Sequence, residues 1–477
     1  MENKNILSNF IWRFAERCGA QLVMFVVSVV LARILEPEAY GIIALLTVFT
    51  TILQAFVDSG LGNALIQKKD ADDADFSTVF YTNVVFCIVL YALLFLCAPL
   101  IATFYGNQSL VSLLRVLGLT IVVSGVKNIQ QAYVSRHMMF KKFFFSTLGG
   151  TIAAAFAGIG LAMQGYGAWA LVAQQVVNVT IDTAILWMIV KWRPKKIFSI
   201  QRLKNLFFYG WKLLISALLD VGYNNIRQLI IGKLYTSSDL AYYNCGKQFP
   251  SFIVENINSS IDSVLFPVMS SVQDNREHVK QMTRRSIKIS VYIMAPMMMG
   301  LAFTADSIVK LILTDKWLDC IPYLRIFCIT YMFWPIHTSN LNAIKAMGRS
   351  DLFLKLEIMK KCIGMILLLS TMWFGVRVMA YSLLVSSVTS QIINSWPNKK
   401  LLNYRYIEQL KDILPSIAMA LTMGVIVYSI TFLNLSYVIT LMLQILTGVF
   451  VYGCLSIVFK EESFIYLRSI ILKTIKK

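Results

Sequence analysis

A chain of 477 residues with 57% hydrophobic and only 14% charged residues is not a soluble globular protein, which carries about 25% charged residues. The mean hydropathy is +0.66 and apolar runs recur from end to end, so the whole chain reads as a polytopic membrane domain. The formal net charge of +19 leaves no basic region outside those runs to bind nucleic acid. The eight cysteines lack Cys-x-x-Cys or Cys/His spacing, which argues against a metal site or a disulfide framework.

Fourteen spans are expected, near residues 10–32, 41–63, 79–101, 110–133, 146–164, 168–190, 209–232, 240–266, 286–305, 322–344, 356–375, 378–396, 412–432 and 437–459. Each holds roughly the 20 apolar residues that cross a bilayer. The opening MENKNILSNFIW lacks the basic, apolar and small-residue order of a cleavable signal. With both termini in the cytoplasm, 28 of the 44 Lys and Arg fall on the cytoplasmic side, 5 on the far side and 11 inside spans. This positive-inside asymmetry fixes the orientation and explains the basic charge, with some attraction to anionic lipid heads. The connections are too short to fold as domains, and no GxxxxGK[ST] loop is present for nucleotide-driven pumping.

The stretch from Tyr209 to Phe266 departs from the rest. It reads as two spanning helices, yet it holds Lys212, Asp220, Arg227, Lys247, Glu255 and Asp262. A charge at the centre of a membrane helix costs about 2.5–3.5 kcal/mol on insertion scales, so six of them require partners or water. In the second helix Asn244, Lys247, Ser251, Glu255, Asn258 and Asp262 fall three or four residues apart and make one stripe. Phe249, Ile253, Val254, Ile257, Ile261 and Val264 form its back. The expectation is that the stripe lines a water-filled transport cavity.

A weak internal repeat supports two lobes. Trp12-Arg13 opens the first span as Trp211-Lys212 opens the seventh, and LARILEPEAYG faces IGKLYTSSDLAYY about 200 residues later. Parallel six-helix repeats place a substrate site between two lobes. The expected organisation is an N-terminal lobe over 1–195, a second six-helix lobe over 196–400, and two further helices with a basic tail over 401–477.

Several stretches carry a family resemblance. VVLARILEPEAYGIIAL, DSGLGNALIQKKDADDADFSTVFYTN, SRHMMFKKF, SIDSVLFPVMSSVQDN and PMMMGLAFTADSIVKLILTDKWLDCIPYLRI resemble segments of the polysaccharide flippases. These belong to the multidrug/oligosaccharidyl-lipid/polysaccharide exporter superfamily, and the likeness is strongest to the Wzx/WzxC-like branch. It runs from about residue 8 to 400. The resemblance implies an all-α membrane protein of about 14 helices around a cavity that opens alternately to each side. It further implies a substrate of glycan on undecaprenyl diphosphate, flipped across the bacterial plasma (inner) membrane for lipopolysaccharide, capsule or exopolysaccharide synthesis. A polysaccharide polymerase of the same pathway is an implied partner, and no cofactor is implied.

A bilayer core cannot solvate a diphosphate, so cations must replace its hydration. The candidates are Arg13, Arg17, Lys212, Arg227 and Lys247, with Arg suited to bind phosphate oxygens in pairs. Arg13 and Lys212 begin their helices and Arg227 and Arg325 lie near outer ends, where snorkelling to the interface is the competing account; for Arg325 it is the preferred one. Arg17 and Lys247 lie deeper. Glu16, Asp220, Glu255 and Asp262 are candidates either for ion coupling or for structural pairing, with pairing ahead. Asp58 and Asp182 are expected to cap or pair. Sugar contacts fall to Tyr223, Asn224, Asn225, Asn244, Gln248 and Asn258, with Asn256 off the stripe, although single Asn residues also bond neighbouring helices.

Pro250, Pro296 and Pro335 are expected to interrupt their helices. His137 and His278 read as solvated loop residues and His337 as hydrogen-bonded within the bundle; none has a metal-ligand companion. Two rivals to the flippase reading remain. One is a multidrug or small-cation antiporter of the same superfamily, which the excess of buried cations disfavours. The other is a membrane glycosyltransferase, which the short outer loop Asp306 to Pro322 disfavours.

Overall fold

The computed structural model describes residues 2–58, 62, 65 and 71–475. The side chains of 2–11, 13–18, 205–210, 212, 213, 264, 470, 471 and 473–475 lie outside the described residues. Those described form seventeen α-helices and two short 3-10 turns, with no strand. The chain divides into two compact units, Met1–Ala241 and Tyr242–Lys477.

The first unit holds α1 (Glu2–Ile34), α2 (Pro37–Asp58), α3 (Asp73–Tyr105), α4 (Ser109–Arg136), α5 (Phe140–Met163), α6 (Ala168–Ile189) and α7 (Ile200–Leu234), and then the first turn of α8 (Ser237–Ser270). α3 begins on a capping box. Asp72 accepts from the Asp75 backbone N–H at 2.9 Å, and the Asp75 carboxylate accepts from the Asp72 N–H at 3.2 Å, which satisfies two donors the helix start would leave open. The helix ends on Gly106 with φ 70, a left-handed conformation that glycine adopts without strain. α5 presents Gly150, Ala154 and Gly158 on one buried line, and α6 closes against it. A Cβ at Gly150 would lie 2.8 Å from the Asp182 Cβ and 2.9 Å from the Asn178 carbonyl oxygen. Small residues at helical spacing let two membrane helices approach backbone to backbone. α7 packs on α2 and α3: the Tyr105 hydroxyl donates to the Leu229 carbonyl at 3.4 Å, and the Lys233 ammonium donates to the Phe104 carbonyl.

Two elbows in this unit have the same form. The α1–α2 turn at residues 34–37 and the α7–α8 turn at 234–237 interrupt the helix by the same two residues, 200 positions apart. This matches the repeat suggested by LARILEPEAYG and IGKLYTSSDLAYY. The elbows also touch. Gly41 lies so close to Ser237 that a Cβ there would overlap the Ser237 carbonyl.

The second unit continues α8 and adds α9 (Arg276–Phe303), α10 (Ala305–Ile312), α11 (Ile321–Met332), α12 (Trp334–Ala346), α13 (Ser350–Thr371), α14 (Val376–Leu401), α15 (Tyr406–Ser429), α16 (Tyr437–Val458) and α17 (Glu462–Ile475). α9 is the centre, packing on α11, α12, α15 and α16. α11 and α12 together occupy the expected tenth span. They break at Phe333, with Pro335 in the first turn of α12, where a missing N–H does no harm. Pro250 and Pro296 correct the sequence reading, for they lie inside the continuous helices α8 and α9. With α10 too short to span and α17 beyond the last span, the remaining helices match the fourteen expected.

Nine helices among the described residues are long and apolar enough to cross a bilayer. Their outward faces carry large apolar side chains, such as Leu96, Phe156, Val449 and Phe450, each more than 70% exposed. In water such a surface would be untenable; in lipid it is the expected exterior. The chain is a multi-pass membrane protein.

Candidate functional site

α8 carries the polar stripe singled out from the sequence, and its packing shows which face the protein keeps. Tyr243, Gly246, Pro250 and Val254 are buried three and four residues apart. Tyr243 sits edge-on to the Tyr323 and Phe327 rings at 6.0 and 5.2 Å. A Cβ at Gly246 would lie 2.6 Å from the Tyr323 Cβ, 2.7 Å from the Leu324 nitrogen and 2.9 Å from the Cys320 carbonyl oxygen. Of the apolar back, which suits lipid as well as packed helices, Val254 is buried, Phe249, Ile253, Ile257 and Ile261 are half-buried and Val264 lies outside the described residues. In a membrane, apolar side chains gain nothing by turning inward from lipid, so small residues mark the packed line instead.

The stripe flanks that line. Asn244, Lys247, Ser251 and Asn258 are half-buried, and Gln248, Glu255 and Asp262 are exposed. The Asn258 Oδ1 accepts from the Thr338 hydroxyl at 3.2 Å. The side-chain nitrogens of Asn244 and Asn258 are buried without a hydrogen-bond partner among the described residues, donors that remain open to water or to a polar ligand. Neither Glu255 nor Asp262 makes an ion pair among the described residues. Asn256, placed off the stripe, donates to its own helix at the Phe252 carbonyl, 2.7 Å away.

On α7, Arg227 is buried at 8% exposure and Tyr223 is half-buried. Asp220 and Asn224 are exposed, and the Asn224 side-chain amide donates to the Asp220 carboxylate at 3.1 Å. Asn225 donates to the Val221 carbonyl at 2.8 Å. Arg13, Glu16 and Arg17 fall on α1 and Lys212 on α7, and their side chains lie outside the described residues.

Elsewhere in the first unit two acids of the spanning helices have partners. The Lys127 ammonium on α4 meets the Asp182 carboxylate on α6, with Asp182 only 5% exposed. Asp58 accepts from the Gln54 side chain at 3.0 Å and the Asn128 side chain at 3.2 Å. In the second unit Arg325 ion-pairs with Asp306 and donates to the Ala302 carbonyl at 3.2 Å. This corrects the snorkelling expected from its position near a helix end: a carboxylate within reach is a better partner than the headgroup region. His137 and His278 are exposed.

Sequence reasoning missed a buried amide cluster. Gln391, Asn394, Ser395 and Asn398 line one face of α14 at 0–2% exposure. The Asn398 side-chain amide donates to the Asn340 Oδ1 at 2.7 Å, Ser395 donates to the Gln409 Oε1 at 3.2 Å, and the Asn394 Nδ2 lies 3.1 Å from the His337 Nδ1. Its signal was the spacing of polar residues in QIINSWPN. Towards the loop end of the same unit, the Arg284 guanidinium forks onto the Asp412 carboxylate at 2.7 and 2.6 Å. The Tyr404 hydroxyl donates to Asp412 at 2.7 Å, and burial, then that carboxylate, pushes the Tyr404 phenol up. Most of these groups bond one another, as structural networks do, although the Gln391 Nε2 and the Asn342 Nδ2 are, like the Asn244 and Asn258 nitrogens on α8, buried donors without a partner among the described residues.

A profile of the family described as "Polysaccharide biosynthesis protein" matches residues 30–322. The teichuronic acid biosynthesis protein TuaB of Bacillus subtilis (strain 168) is 26% identical over 311 residues, which cover 64% of this chain and 63% of TuaB. The succinoglycan biosynthesis transport protein ExoT of Rhizobium meliloti (strain 1021) is 25% identical over 328 residues, covering 69% of this chain and 66% of ExoT. The chain thus matches a little under two thirds of the length of each. Among solved structures, a lipid II flippase MurJ in an inward closed conformation superposes with a TM-score of 0.74 at 15% identity, over 95% of this chain and 98% of that one. At that identity the superposition establishes a shared fold.

Proposed function

The chain belongs to the polysaccharide biosynthesis protein family, and from that premise we propose that it is a flippase. Its substrate is an undecaprenyl-diphosphate-linked oligosaccharide, carried across the bacterial plasma membrane by alternating access between two six-helix lobes. The family match over residues 30–322 carries the reading. The fold shared with a lipid II flippase and a relative named as a succinoglycan transport protein support it. Both termini face the cytoplasm, on the strength of the 28-to-5 distribution of Lys and Arg.

The chemistry follows from the substrate. Moving an unpaired diphosphate into hydrocarbon costs tens of kcal/mol, so the protein must supply cations where water is lost. Lys247 and Arg227 serve this purpose on α8 and α7, together with Arg13, Arg17 and Lys212. The open amides of Asn244 and Asn258, with Gln248, Asn224 and Tyr223, offer donors and a ring to sugar hydroxyls. Glu255 and Asp262, exposed and without ion pairs among the described residues, are the acids available to a coupling cation, with Glu16 and Asp220 as further choices. Translocation makes and breaks no covalent bond, so no catalytic residue or cofactor is assigned. A polysaccharide polymerase would take the delivered unit.

The test is flipping in proteoliposomes. A fluorescent undecaprenyl-diphosphate oligosaccharide is followed by its accessibility in each leaflet, with wild type and an Arg17→Ala/Lys247→Ala variant. Wild-type flipping, reduced at least tenfold in the folded variant, is expected. Exchange of a cationic drug in place of the glycan lipid would install the antiporter reading. Lengthening of glycan chains in the same vesicles would install a glycosyltransferase.

A further inference from the structure

Lys411 and Lys460 border a cavity of about 630 Å³ in the second unit, at the end that carries its basic loops. Lys411 stands in the first turns of α15, and Lys460 forms the turn between α16 and α17. The wall beyond them is largely apolar: Pro415, Ala418, Met419 and Thr422 from α15, and Phe459 from α16. Phe459 is 66% exposed and Pro415, Ala418 and Thr422 are exposed too, so the cavity lies open on the outer face of α15.

The charges around the mouth are unevenly matched. Asp412 is taken by the Arg284 fork, with Lys288 at 3.7 Å, and Glu462 is taken by Lys288 at 2.6 Å. Glu461 also lines the cavity, at 8% exposure, and accepts from the Ser463 hydroxyl at 3.3 Å; set against Lys411 and Lys460 it leaves the mouth one positive charge in excess. Lys411 and Lys460 are exposed and make no ion pair among the described residues. Two unpaired ammonium groups therefore flank an apolar slot.

The slot has the depth of one leaflet. From Lys411 to Thr422 the helix rises roughly 16 Å at 1.5 Å per residue, about half of a hydrocarbon core near 30 Å thick. We propose that this cavity is a binding site for an anionic phospholipid of the leaflet on the basic side. The phosphate sits between Lys411 and Lys460, and an acyl chain lies along Ala418, Met419 and Thr422. Its lining shares no residue with the α7 and α8 candidates, and it stands whether or not the protein flips a glycan lipid. A polyprenyl phosphate offers the same phosphate-on-tail chemistry, but its tail is longer than a leaflet is deep and overruns the wall.

Native mass spectrometry of the full-length protein, titrated separately with phosphatidylglycerol, phosphatidylethanolamine and undecaprenyl phosphate, tests this. Each surface cation is worth about 1 kcal/mol towards an anionic lipid, so the one charge in excess predicts a several-fold preference for phosphatidylglycerol over phosphatidylethanolamine. Lys411→Gln/Lys460→Gln should abolish that preference, and Lys411→Arg/Lys460→Arg should keep it, which separates charge from damage to the fold. Ala418→Trp, which fills the slot and leaves both lysines, should also weaken retention. Equal retention of phosphatidylglycerol by wild type and the Gln variant overturns the proposal. So does unchanged retention in Ala418→Trp, or displacement of phosphatidylglycerol by an equal concentration of undecaprenyl phosphate.

Discussion

Asn340 and Gln409 hold each other by both ends of their amides. The Asn340 Nδ2 donates to the Gln409 Oε1 at 2.9 Å, and the Gln409 Nε2 donates back to the Asn340 Oδ1 at 3.2 Å. Both residues are buried, and the pair ties α12 to α15. Asn340→Leu strips two bonds from Gln409 and one from Asn398 at once. Buried groups left unpaired cost about 1–3 kcal/mol, although membrane hydrogen bonds average nearer 0.6 kcal/mol in double-mutant cycles. A lower thermal unfolding midpoint is expected for Asn340→Leu, partly restored in Asn340→Leu/Gln409→Leu. An unchanged midpoint in the single variant would show that the pair contributes nothing.

Lys127 and Asp182 make a stronger case for coupling. Removing one member of a buried pair strands the other charge, typically at 3–5 kcal/mol, whereas replacing both is often close to neutral. Lys127 keeps 18% of its side chain exposed, which places the expected loss for Lys127→Met at about 3 kcal/mol or below. Lys127→Met/Asp182→Leu should recover most of it and still flip substrate, because the pair serves to hold α4 to α6. A double variant that unfolds like wild type but has lost flipping would move the pair into the transport mechanism.

The start of α3 should respond to acid. The Asp75 backbone N–H, and after it the Arg202 guanidinium, hold the Asp72 carboxyl below its ordinary value of 3.8. A depressed folded value means stability that is complete above pH 3.8 and lost as the pH falls through the lower folded value. Protection factors over residues 73–77, with exchange taken relative to the unstructured chain at the same pH, should therefore stay high at neutral pH and fall only in acid. Asp72→Ala should give quick exchange already at pH 7, and equal protection in the two proteins would disprove the cap's role.

Gly246→Ala meets backbone on two sides, the Leu324 nitrogen and the Cys320 carbonyl, which cannot rotate away as a side chain can. Overpacking of this kind costs about 1–3 kcal/mol. At Gly222 on α7 nothing lies within 4 Å of an added Cβ, so Gly222→Ala should be neutral or stabilising by up to about 1 kcal/mol. Thermal unfolding of the two variants side by side separates contact from propensity; matching midpoints would refute the close approach.

The fourteen spans were legible because length and hydropathy suffice for them, and the pairing of Asp182 and the hydrogen bonding of His337 followed from the cost of a lone polar group in hydrocarbon. The packed face of α8 was not legible. In water, apolar spacing points to the core; in lipid it points outward as readily, so Tyr243, Gly246 and Pro250 carried the contact while Phe249 and Ile253 did not. The α14 amides were hidden for a related reason. Neutral side chains scattered through QIINSWPN barely change hydropathy, and their partners Asn340 and Gln409 come from distant helices. Arg325 depended on Asp306, nineteen residues away, which no local pattern places beside it.

Gly41 has no side chain to hold it off the Ser237 carbonyl, so any tilt of α2 would take that contact as its fulcrum. Asp58 closes the other end, seventeen residues on and roughly 26 Å away at the helical rise. A tilt of about 10° around the fulcrum would carry Asp58 by about 4 Å over that arm. The Asn128 side chain donates to Asp58 across 3.2 Å, so a displacement of that size breaks the bond outright. A tilt of that size at the elbow would therefore register as a bond lost at the far tip of α2.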